Sequence, residues 1–108
     1  MKNQIENVEE ILFIKNILKE VIDPELMVNI IDLGLIYDIR LEKDKKMIEV
    51  DLTLTSTGCP LGDVIIQNIE QLLYRNYLGF IIKVNLVWVP VWNAEMMTEE
   101  GKIAMSNY

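Results

Sequence analysis

The sequence predicts an α/β (α+β) domain, a two-layer sandwich with an α-β-β-α-β core, a small mixed sheet and a short C-terminal helix. Three observations predict it. Apolar residues recur at helical spacing in the first 22 residues and again after residue 60. Between and after those stretches they alternate with polar ones, as in strands with one wet face. The second helical stretch is long enough to run back along a strand of about eight residues, so the strand after it returns parallel to the one before it. The 108 residues, 51% hydrophobic, suit a single domain over residues 1–108.

In the first stretch Ile5, Val8, Ile11, Leu12, Leu18, Val21 and Ile22 are separated by Glu6, Glu9, Glu10, Lys15, Lys19 and Glu20, which predicts an amphipathic helix ending where Asp23 precedes Pro24. A loop, DPELMVNIIDLG, follows. Leu35, Tyr37, Ile39 and Leu41 then alternate with polar neighbours, and after KDKK so do Ile48, Val50, Leu52 and Leu54. The pair reads as a hairpin turning over about four residues at 43–46 and placing Leu35 beside Leu54. Pro60 fits the first position of the second helix, whose buried stripe is expected to be Val64, Ile65, Ile69, Leu72, Leu73 and Tyr77, and Gly79 ends it. Ile82, Val84, Leu86 and Trp88 form the third strand, and a terminal helix starts near Thr98.

Composition removes several function classes. Seventeen acidic against ten basic side chains give a net charge of −7, which repels phosphate backbones, so no nucleic acid is expected as a partner. No stretch approaches the ~18 apolar residues of a membrane span and no signal-peptide core opens the chain, so the expectation is a cytoplasmic protein without membrane contact. The chain has no histidine, which excludes Ser-His-Asp and Cys-His nucleophile pairs. One cysteine and no histidine also leave no ligand set for structural zinc within one chain.

That cysteine is Cys59, in TSTGCPLGD at 55–63. With strand three parallel to strand two, the loops DPELMVNIIDLG, TSTGCP and WVPVW meet at one end of the sheet, where layered folds carry function. One reading of Cys59 is a small buried hydrophobe. Its expected place at the N-cap of the second helix, where Ser, Thr, Asp or Asn is preferred, favours a functional reading: N–H groups and the helix dipole there stabilise a thiolate and lower its pKa. Thiolate is also the ligand soft metals and iron-sulfur clusters take, which makes Cys59 the candidate metal ligand. Asp23, Glu25 and Asp32 are candidate metal ligands or bases, or turn and cap residues. Trp88 and Trp92 read as loop packing, Met96 and Met97 as gap fillers, and Gly34 and Gly58 as backbone requirements.

Four motifs stand in order: DPEL at 23–26, DLGLIYDI at 32–39, TSTGCPLGD at 55–63 and W-x-P-x-W at 88–92. Together they resemble the PaaD/SufT-type family of metal-sulfur cluster assembly proteins, formerly a domain of unknown function. The resemblance implies an accessory, non-enzymatic factor in iron-sulfur protein maturation, presenting Cys59 to a cluster, a metal ion or a client protein. It implies supporting acids at Asp23 and Glu25, and a loop frame of Asp32, Gly34, Thr55, Gly58, Pro60, Trp88, Pro90 and Trp92. A cluster of the all-cysteine kind takes four thiolates, so here it would be transient or shared. Assembly or client proteins are the expected partners, and a homodimer would bring two thiolates together. The alternatives are a thiol enzyme using Cys59 as nucleophile, or an adaptor in assembly of a multicomponent oxygenase. Two departures stand out. Met27 replaces the glycine common after DPEL, which predicts a different loop conformation there. Val89 and Val91 replace the acid and second proline of W-D-P-P-W, so no role for that acid carries over.

Overall fold

A computed structural model describes residues 2–56 and 61–106. Helix α1 (Lys2–Leu18) is followed by the strands β1 (Ile36–Glu42) and β2 (Met47–Leu52), helix α2 (Gly62–Asn76), strand β3 (Ile81–Leu86), a 3₁₀ turn (Ala94–Met96) and helix α3 (Glu99–Ser106). The sheet order is β1-β2-β3, with β1 antiparallel and β3 parallel to β2. This is the expected mixed α+β arrangement. None of the described helices is long and apolar enough to cross a membrane.

Both long helices cover one face of the sheet. Ile39, Leu41, Ile48, Val50 and Leu52 of the strands are buried against Ile14, Ile17 and Leu18 of α1 and Ile65, Ile69, Leu72 and Leu73 of α2. The other face is polar. There the Arg40 guanidinium donates to both carboxylate oxygens of Asp51 at 2.9 Å, to Asp38 at 2.7 Å and to Glu49 at 3.3 Å. The Asn85 side-chain amide donates to Glu49 at 2.6 Å and to Asp51 at 3.1 Å, joining all three strands. These bonds hold the Asp51 carboxyl below its usual range, chiefly through Arg40, and that of Glu49 through Asn85 and then Arg40.

Several boundaries differ from expectation. α1 stops at Leu18, four residues before Ile22, because Val21 and Ile22 pair with the returning chain: Val21 O accepts from Ile30 N at 3.0 Å and Ile22 bridges Asn29. Its buried face is Ile14, Ile17 and Leu18, whereas Val8 and Leu12 are exposed. Apolar residues lie all round this helix, so periodicity had no single face to select. In β1 the alternation breaks: Ile36 pairs with Leu52 but Asp38 with Asp51, so Tyr37 is the extra residue of a β-bulge. The bulge also puts Leu35 next to Thr53, whose N–H donates to Leu35 O at 2.8 Å, and not Leu54.

α2 begins at Gly62 with Leu61 at the cap position, so Cys59 is not the capping residue and Pro60 is not the first helical one. Both lie outside the described residues. Gly62 packs closely on Leu54: a Cβ there would come within 2.7 Å of Leu54 Cδ1, so a larger residue would require that side chain to shift. Val64, expected in the stripe, is exposed. The hairpin turn occupies residues 43–46, as its length predicted, and β3 ends at Leu86, before Trp88.

Candidate functional site

The site end of the sheet is built first by the turn at 29–35. The Asn29 side chain accepts from Asp32 N at 2.9 Å and donates to the Asp32 carboxylate at 2.8 Å, which winds the chain into a tight turn. Gly34 closes it in the left-handed conformation, φ 78°, with its N–H on Ile31 O and that of Leu35 on Ile30 O, the bond pair of a Schellman turn. A Cβ at Gly34 would also overlap the Met96 carbonyl. Asp32 and Gly34 are therefore required by the backbone and by close approach of a distant segment.

That segment is the 88–98 stretch. After β3, Val87 N donates to Leu52 O at 2.8 Å, and the chain then crosses the end of the sheet toward β1. Pro90, after a cis peptide bond, accepts at its carbonyl from the Tyr37 hydroxyl at 2.7 Å, and the Trp92 indole N–H donates to Leu33 O at 2.7 Å. Thr98 completes the tie. Its N–H donates to Asp32 O at 2.9 Å and its hydroxyl to Asp32 Oδ1 at 3.0 Å, while Thr98 Oγ1 accepts from Gly101 N as α3 begins. Gly101 has no room for a Cβ against the Asp32 carbonyl. Trp88, by contrast, is a third exposed.

Residues 53–56 leave the sheet between these flanks, because β2 is the central strand. Leu54 is buried, Thr55 half-buried and Ser56 exposed. Close packing of Leu54 on Gly62 pinches the loop at its base. Gly58, Cys59 and Pro60 lie outside the described residues. Thr53 is fully buried, and its hydroxyl has no hydrogen-bond partner among the described residues.

The two supporting acids differ from one another. Asp23 is buried, and its carboxylate accepts from Glu25 N at 2.8 Å and Leu26 N at 3.1 Å, so it shapes the turn. Glu25 is exposed. Met27, whose N–H reaches Asp23 O at 2.8 Å, has φ 59°. It therefore adopts the left-handed conformation that favours glycine.

The structure thus brings Asp32, Gly34, Pro90 and Trp92 into one frame and adds residues that sequence reading passed over: Tyr37, Met96, Thr98 and Gly101. Gly101 carried a signal, since glycine within a helix is costly without a packing reason. Tyr37 carried none, because its bulge arises from pairing. Among the described residues, no group of three Cys, Asp or Glu side chains could hold a metal ion.

This small α+β domain thus interlocks two distant segments at the end of its sheet where the central strand β2 stops. Residues 13–76 match the family described as iron-sulfur cluster assembly protein, and the chain belongs to that family. It is 42% identical over 85 residues to the Fe-S protein maturation auxiliary factor SufT of Staphylococcus aureus, covering 79% of this chain and 96% of that one. It is 38% identical over 88 residues to the Fe-S protein maturation auxiliary factor YitW of Bacillus subtilis, covering 82% and 85%. A crystal structure of a domain of unknown function, DUF59, from Bacillus anthracis superposes with a TM-score of 0.83 at 36% identity, over 88% of this chain and 90% of that one.

Proposed function

We propose that this protein is an accessory factor in the maturation of iron-sulfur proteins, presenting Cys59 on the loop between β2 and α2 to a cluster, a metal ion or a client protein. The observation that carries the reading is the frame. Two segments some sixty positions apart are tied by Tyr37–Pro90, Trp92–Leu33 and Thr98–Asp32 beside the place where the cysteine loop leaves the sheet. Relatives at 42% and 38% identity that bear the name of maturation factors support the process.

The cluster is cargo in this reading, because one thiolate per chain cannot complete a four-thiolate shell. Exposed Glu25 is the acid available to assist, with Asp23 holding its turn. The remaining ligands come from an assembly protein, a client, or Cys59 of a second copy in a homodimer. A non-enzymatic role asks nothing of the absent imidazole, whereas a thiol enzyme would need an external resolving thiol and proton transfer from its substrate. The cytoplasm, which keeps thiols reduced, suits it.

Anaerobic reconstitution with ferrous iron and sulfide tests the reading, comparing wild type with Cys59→Ser by visible absorption and by iron and sulfide per chain. A cluster in the wild type that is absent from the folded variant is the expected result. Equal loading of both proteins, or no loading of either, overturns Cys59 as the ligand and leaves an adaptor that acts on other cluster proteins.

A further inference from the structure

The open face of the sheet carries a groove of about 750 Å³ beneath the 88–92 loop. Val87, Val89 and Pro90 line it from the β3 side and Met96 from the other, and its charged lining residues are Asp38 and Asp51. Val89 is 85% exposed, a large apolar side chain held in solvent beside carboxylates. Arg40 satisfies part of the acidity and Lys83, paired with Glu49 across β2 and β3, adds a second cation, but Asp38, Glu49 and Asp51 still outnumber the two, and the Asp38 side chain remains 57% exposed. Apolar wall and unbalanced negative charge therefore lie side by side.

We propose that this groove seats a segment of a partner protein that carries Lys or Arg next to an aliphatic side chain. The aliphatic group would cover Val87 and Val89, and the cation would meet Asp38 and Asp51, adding the charge that the network lacks. A trough open to solvent suits a chain segment lying across it, since a small molecule would keep too much of its surface wet there. Val89 and Pro90 of the 88–92 loop line the groove, so a partner held here lies at the same end of the sheet as the exit of β2. The proposal rests on the maturation reading for the identity of the partner, not for the groove.

Fluorescence anisotropy tests it with three labelled peptides, alternating Lys with Val, Glu with Val, and Lys with Ser. The Lys/Val peptide should bind best, and Asp38→Lys should weaken it by about tenfold or more, the equivalent of losing one good charge contact. Asp38→Asn and Val89→Ser should each weaken it less. Glu99→Lys, an equal change of charge at an exposed site on α3, should leave binding unaltered. The proposal is overturned if Glu/Val or Lys/Ser binds as well as Lys/Val, if Glu99→Lys weakens binding as much as Asp38→Lys, or if sedimentation shows a dimer that Val89→Ser dissolves. Cys59→Ser should bind the peptide as wild type does. A variant that keeps the peptide but loses cluster loading, or the reverse, separates failure of one reading from failure of the other.

Discussion

The two ends of the sheet are held in different ways. At the hairpin tip, residues 43–46 turn on a local bond from Lys46 N to Lys43 O at 3.1 Å, and the side chains there are exposed. Their ties are surface ion pairs, Lys45 with Glu42 and Lys43 with Glu10 at 3.4 Å. At the site end the bonds span 53 to 66 positions, and two glycines sit against carbonyls with no room for a methyl group. Surface ion pairs contribute little, whereas part-buried bonds and backbone packed without room for a methyl group are costlier to lose. The molecule therefore concentrates its long-range ties at the end of the sheet where β2 leads on toward α2.

Gly34→Ala breaks this contrast most directly. The left-handed backbone and the overlap with the Met96 carbonyl together should cost about 3 kcal/mol, read as a lower urea midpoint at unchanged slope. The indole fluorescence of Trp92 should change with it, since the 88–98 segment must move away. Trp92→Phe is gentler: it keeps the ring but leaves Leu33 O without its donor, and should lose about 1–2 kcal/mol in the same assay.

Arg40→Gln probes the open face and sharpens the contrast through pH. Glu49 and Asp51 have folded-state pKa values below their unfolded ones, so the unfolded chain binds more protons near pH 4. Their stabilisation is fully present above the unfolded values of about 4 and is lost as pH falls through the folded ones. The variant should lose about 1 kcal/mol at neutral pH, after allowance for solvent screening, and show a shallower fall in urea midpoint on acidification. An unchanged acid slope would mean that Arg40 does not hold these carboxylates. Smallest of all, Lys45→Ala at the tip should stay within about 0.5 kcal/mol of wild type, and a larger loss would place structural weight where this comparison puts none.

How much was legible follows the same division. The tip, the three strands and the parallel return of β3 were readable, because alternation, a four-residue gap and crossover handedness are local or topological rules. The meeting of the turn at 29–35 with the 88–98 stretch and with the exit of β2 followed from them, whereas residues 57–60 lie outside the described residues. The face of α1 was not readable, since Val8 and Leu12 are as apolar as Ile14 and Ile17. Nor was the start of α2, which Pro60 appeared to mark and which falls at Gly62. The left-handed backbone of Met27 was not readable either, since a methionine gives no local signal for it.

By itself, then, the sequence determined the fold class, the classes of chemistry that a chain with no histidine and one cysteine cannot perform, and the position of that cysteine in a loop beyond a central strand. Only the tertiary structure decided which residues hold that loop's surroundings. The Tyr37 bulge, the Thr98 link to Asp32 and the groove beside Asp38 each join segments far apart in the chain. Their energies come from pairing, exclusion of volume and charge at contacts that exist only once the layers have packed.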